Sequence, residues 1–80
     1  MYYVYILECA DNTLYAGYTN DLDNRIKVHN QGKGAKYTRV RLPVKLVYSE
    51  IRDNKSDALK REYQIKQMTR KQKEKLIYES

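Results

Sequence analysis

The sequence predicts an α+β domain, a three-stranded antiparallel sheet flanked by helices in the order β-β-α-β-α-α. Three observations carry this. Two runs rich in aromatic, β-branched and apolar residues flank the turn-forming triplet Ala10-Asp11-Asn12, a third alternating run follows Pro43, and the rest shows helical caps and spacing. At 80 residues there is room for one core, so residues 1–80 are read as a single domain.

Each element has its own cause. "YYVYILEC" (Tyr2–Cys9) is β-branched and aromatic throughout, the strongest strand signal in the chain. Asp11 and Asn12 accept side-chain-bonded or left-handed backbone, so a hairpin to "TLYAGYT" (Thr13–Thr19) follows, with Gly17 marking a bulge or a close approach. Thr19 or Asn20 is expected to cap a helix running to Asn30, with Asp21 and Asp23 at its positive end. Asn30–Pro43 reads as a loop carrying Gly32 and Gly34. "VKLVYSEI" (Val44–Ile51) alternates as a third strand, and Asn54 or Ser56 caps a helix whose apolar stripe is Ala58, Leu59 and Ile65. Thr69 with Gln72 forms a capping-box signature for a last helix, "RKQKEKLIYE".

The net charge is +6, unevenly placed: residues 1–24 hold four acids and no Lys or Arg, and all 16 basic residues lie from Arg25 onward. A basic surface releases condensed counterions from a polyanion, which makes nucleic acid the natural partner. One cysteine, Cys9, closes no internal disulfide and points to a reducing, cytoplasmic setting as a buried small hydrophobe. No signal-peptide pattern or run of membrane-spanning length is present, so no membrane role is expected. Zinc-type Cys/His spacing, a Ser-His-Asp set and a P-loop are all missing.

Three residue groups break the local rules. Glu62 falls between Ala58, Leu59 and Ile65 on a helix face, where a carboxylate needs a cation, strong hydrogen bonds or a metal. Its alternatives are an arginine ion pair or a rim position reaching water. A single hard oxygen ligand with waters suits Mg²⁺ or Mn²⁺. Arg25 and His29, one turn apart beside the line of Leu22 and Ile26, offer a bidentate phosphate donor and a proton carrier; the bland reading pairs Arg25 with Glu62 or Asp21. Finally, all nine aromatic residues are tyrosines, so every aromatic brings a hydroxyl, with Tyr3 and Tyr5 on one face of the first strand and Tyr15 beside Gly17 on the second.

Taken in order, "YVYIL", "LYAGYT", "NRIKVHN" and the helical Glu of "ALKREYQIK" resemble the GIY-YIG nuclease superfamily, in particular its small stand-alone bacterial members and the catalytic domains of Slx-type endonucleases. The resemblance spans Tyr3 to about Met68. It implies a metal-dependent phosphodiester hydrolase with one divalent ion, Mg²⁺ or Mn²⁺, acting on DNA in repair or recombination. By the same resemblance Tyr5, Tyr15, Arg25 and His29 are catalytic, with Glu62 as metal ligand. Gly17, Lys33, Lys36, Tyr37, Thr38 and Arg39 are expected to contact nucleic acid. The rival expectation is a non-catalytic nucleic-acid-binding module on the same fold. Either is expected to work with a targeting partner protein, since no separate DNA-binding domain is read in the chain.

Overall fold

The computed structural model describes residues 1–79. Its elements are β1 (Tyr2–Glu8), β2 (Leu14–Thr19), α1 (Leu22–Asn30), α2 (Lys36–Arg39), β3 (Lys45–Arg52), α3 (Lys55–Lys66) and α4 (Arg70–Glu79). The sheet is antiparallel with order β2-β1-β3, the predicted α+β architecture. One element was not anticipated: α2, a single turn inside the segment expected to be loop. No helix among the described residues is long and apolar enough to cross a membrane.

β1 is the central strand and is buried on both faces, which is why it reads as an unbroken apolar and aromatic run. Val4 and Ile6 point to one face, where Ala16 of β2 and Ala58 and Ile65 of α3 close a cluster that Leu76 and Ile77 of α4 extend. Tyr5, Leu7 and Cys9 point to the other, against Val44 and the flank of Leu22, Ile26 and Leu42. Burying a side chain such as Ile6 or Leu7 stabilises the fold by about 1.5–3 kcal/mol each. Cys9 is thus a buried hydrophobe at the strand's end.

Local chemistry sets the joints. Asn12 takes left-handed backbone (φ 67°), and Asp11 accepts from the Thr13 amide and hydroxyl, closing the hairpin turn. The α1 cap is Asp21, which accepts from the Asn24 amide, rather than Thr19 or Asn20; the Thr19 hydroxyl instead bonds the Asp21 backbone. α1 ends in a Schellman motif: the Gly32 amide donates to His29 and that of Lys33 to Val28, with Gly32 at φ +77°. Asn54 caps α3, and Thr69 and Gln72 form the reciprocal capping box of α4.

Two expectations change in three dimensions. A bulge steps the β1–β3 register from Ile6–Tyr48 to Leu7–Leu46, so Val47 and Tyr48 both pack on the α3 face and Leu46 is left partly exposed. Leu59 is 40% exposed because α3 presents Ala58 and Ile65 to the sheet and turns Leu59 outward.

The segment between α1 and β3 is held by Asn30, whose side chain donates to the Val44 carbonyl (3.1 Å) and accepts from its amide (2.8 Å). Replacing Asn30 by Ala unpairs both groups of a buried residue and should cost about 1–3 kcal/mol in urea unfolding; a loss under 0.5 kcal/mol would show that the segment is anchored elsewhere.

Candidate active site

The site begins with a hydroxyl set deep in the sheet and shielded from bulk water. Tyr5 is 1% exposed at the centre of the sheet, and its Oη lies 3.0 Å from Nε2 of His29, itself fully buried at the end of α1. The Nδ1 atom of His29 lies 2.9 Å from Oγ1 of Thr38, also fully buried, and that hydroxyl donates to the Ala35 carbonyl at 3.0 Å. The last bond fixes the directions of the others. Because Thr38 spends its proton on Ala35, it accepts from His29 Nδ1–H, so Nε2 carries a lone pair and accepts the Tyr5 proton. The chain Tyr5 → His29 → Thr38 → Ala35 is fully satisfied, and no buried side-chain polar atom among the described residues lacks a partner.

Two glycines make room for it. A Cβ on Gly17, opposite Tyr5 in the register, would stand 2.6 Å from Tyr5 Oη. A Cβ on Gly34 would run into His29 Nδ1. Gly17 therefore serves a close approach, and Gly34 performs the same service on the far side of the imidazole, a role its position in the sequence did not disclose.

Charged groups approach the same phenol. Burial raises the Tyr5 pKa, while the Arg25 guanidinium lowers it through a hydrogen bond and its charge, and Glu62 raises it. The Tyr15 hydroxyl responds alike: burial and Glu62 raise its pKa and Arg25 lowers it. Tyr5, Tyr15, Arg25 and Glu62 thus lie within electrostatic range of one another, though they come from four elements. Glu62 is 17% exposed; it reaches the β2 edge from α3, and its ion-pair partner is Lys66 at 3.8 Å. No ion pair engages Arg25 among the described residues, whereas Asp21 is occupied as the α1 cap. Burial, then the charge of Arg25, pushes the His29 pKa down from 6.5 to about 4, so the imidazole is neutral at pH 7.

The remaining expected residues divide. Lys33, Lys36 and Arg39 are exposed. Thr38 faces inward onto His29, and Tyr37 stacks on Tyr15 (centroids 5.9 Å apart, 23° between planes) with Arg41 over its other face at 3.9 Å. Tyr15 also meets the His29 ring edge-on at 5.5 Å. Lys66 was not anticipated: besides pairing with Glu62, its ammonium lies 5.7 Å from the Tyr15 ring centroid. Its i+4 spacing from Glu62 was the signal available in the sequence.

The chain matches the GIY-YIG catalytic domain family over residues 1–75. It is 62% identical over 77 residues to a UPF0213 protein of Clostridium perfringens (96% of this chain, 83% of that protein). It is 56% identical over 78 residues to one of Staphylococcus saprophyticus (98% and 95%). Among solved structures, the solution structure of a UPF0213 protein from Bacillus halodurans shares 51% identity at TM-score 0.61, covering 96% of this chain and 83% of that one. That of an E. faecalis protein shares 43% at TM-score 0.63, covering 92% and 79%.

A buried neutral histidine leaves a signature in stability. Between pH 6.5 and 4 the unfolded chain binds a proton that the folded chain refuses, so stability is complete above pH 6.5 and falls as pH drops through this window. Urea unfolding should find the protein about 2 kcal/mol less stable at pH 5 than at pH 7 from this group, with a shallower loss in His29→Asn. Equal slopes in both proteins would mean that His29 is not the titrating group. Gly34→Ala, which drives a methyl into the ring, should shift the imidazole nitrogen resonances away from the Nδ1–H tautomer.

Proposed function

This chain belongs to the GIY-YIG catalytic domain family, and we propose that it is an endonuclease hydrolysing phosphodiester bonds of DNA, directed by DNA structure and serving repair or recombination. The observation that supports this reading is the meeting of Tyr5, Tyr15, Arg25 and Glu62, with His29 behind Tyr5. A surface that only bound a polyanion would have no use for a carboxylate among its donors.

The residues fit a divalent ion. Glu62 offers a hard oxygen whose ammonium partner stands at 3.8 Å, beyond a direct hydrogen bond. No group of three or more His, Cys, Asp or Glu side chains is placed to hold a metal among the described residues. One carboxylate, with water and a substrate phosphate filling the shell, is the arrangement Mg²⁺ or Mn²⁺ accepts. When bound, the ion supplies positive charge against the scissile phosphate and the departing oxygen.

The protein groups then act in order. Arg25 donates to the non-bridging oxygens as negative charge builds on phosphorus. The Tyr5 oxygen takes a proton from the attacking water while its own proton passes to His29 Nε2, so charge is moved inward without a free phenolate. Burial is the main cause of the low His29 pKa, and the phosphate that pairs with Arg25 offsets the smaller contribution of that charge, so substrate arrival strengthens the acceptor. Tyr15, braced by Tyr37, orients the water. Lys33, Lys36 and Arg39 hold the flanking backbone, and a partner protein directs the enzyme to its target.

Nicking of supercoiled plasmid and cleavage of branched DNA with Mn²⁺ test the reading. Wild type should cleave, chelator should stop it, and Glu62→Gln, Arg25→Ala and Tyr5→Phe should each lower the rate by about 100-fold or more. Undiminished cleavage in Glu62→Gln and Arg25→Ala would remove the assigned roles; DNA binding unchanged by chelator, with no cleavage by wild type, would favour a binding module.

A further inference from the structure

Beside the site, a second hollow of about 420 Å³ opens where the end of β2 meets the first turns of α1 and α3. Its walls are Tyr2, Tyr18, Thr19, Asn20, Arg25 and Lys55. We infer that it is a second phosphate subsite, which takes the backbone phosphate neighbouring the one under attack. This rests on the endonuclease reading, since it takes the phosphate at Arg25 as the reacting one.

The lining matches that ligand. Arg25 and Lys55 are its only charged walls, both are cationic, and neither is held in an ion pair among the described residues. The phenols of Tyr2 and Tyr18 and the amide of Asn20 add donors suited to phosphate oxygens. Lys55 opens α3, a twelve-residue helix capped by Asn54, so its ammonium adds to the positive end of the helix dipole. Two of the acids nearby are occupied: the Asp57 carboxylate accepts from the Asn54 side-chain amide while its backbone N–H donates to Asn54 Oδ1, and Asp21 caps α1. Arg25 borders both places, so two successive phosphates of one strand would straddle its side chain.

The direction follows from the next hollow along. That one, of about 250 Å³, is walled by Tyr3, Asn20, Asp21, Leu22 and Asp23, and its two carboxylates repel a phosphodiester. A strand passing the site is therefore steered away from the start of α1 and over the start of α3. A free inorganic phosphate shares the same chemistry, and the two sources must be separated by experiment.

Binding in EDTA tests the subsite without cleavage. Fluorescence anisotropy of a labelled twelve-nucleotide strand against salt should show Lys55→Ala weakened about fivefold, with the slope of log affinity against log salt reduced by about 0.7–0.9. Lys55→Arg should restore both. Lys45→Ala, which loses the same charge at the opposite end of the sheet, should leave both nearly unchanged. Lys55→Ala matching wild type in affinity and slope would overturn the subsite, while leaving the endonuclease reading to the cleavage assays. Inorganic phosphate supplies the other arm: if it occupies wild type but not Lys55→Ala, and strand affinity is the same in both, the hollow takes the free ion and the inference fails.

Discussion

A phenol hydroxyl enclosed in the middle of a sheet must be given a partner, and this requirement organises the molecule. β1 is covered on both faces, so Tyr5 cannot turn its Oη to bulk water. His29 accepts the proton, which obliges its other nitrogen to donate to Thr38, which in turn donates to Ala35. Each link fixes the next element: α1 must carry His29 in its last turn, α2 must begin after Ala35, and Gly17 and Gly34 must lack side chains. Leaving any one link unpaired would cost about 1–3 kcal/mol, a large share of the stability available to a domain of this size.

The same chain of bonds sets where the protons lie at rest. A neutral imidazole, kept so by burial and by Arg25, holds the Tyr5 proton on the inner side and leaves the oxygen's remaining lone pairs toward the charged groups. Tyr15 is fixed separately, between the His29 edge and the Tyr37 face, and Arg41 closes the stack while pairing with Asp11 of the hairpin turn at 3.0 Å. The two phenols are thus positioned by different supports.

Charge is distributed to the same end. Glu50 is committed between Arg52 and Arg61, Glu8 meets Lys45, and Glu74 meets Arg70, so several acids are spent on structural pairs. The more exposed pairs among these, Lys45 with Glu8 and Arg70 with Glu74, contribute little to stability. Their consequence is that Arg25, Lys33, Lys36, Arg39 and Lys55 remain outside the ion pairs of the described residues. Cations left outside ion pairs attract a polyanion and lose that attraction with salt.

The sequence by itself determined the strand segments, the hairpin turn and the caps of α3 and α4, because each depends on residues within a few positions of one another. It also isolated Arg25, His29 and Glu62 as residues out of keeping with their surroundings, while the family resemblance singled out Tyr5 and Tyr15. What lay beyond it required contacts between distant segments. The bulge that turns Leu46 outward, the outward set of Leu59 and the inward turn of Thr38 depend on packing across elements. Local periodicity placed His29 at the margin of the apolar line, but only the fold folded Ala35–Thr38 back over it and made it fully buried. The tertiary structure alone decided which hydroxyl faces which nitrogen, because hydrogen-bond direction is settled by the last acceptor in a chain that spans residues 5 to 38.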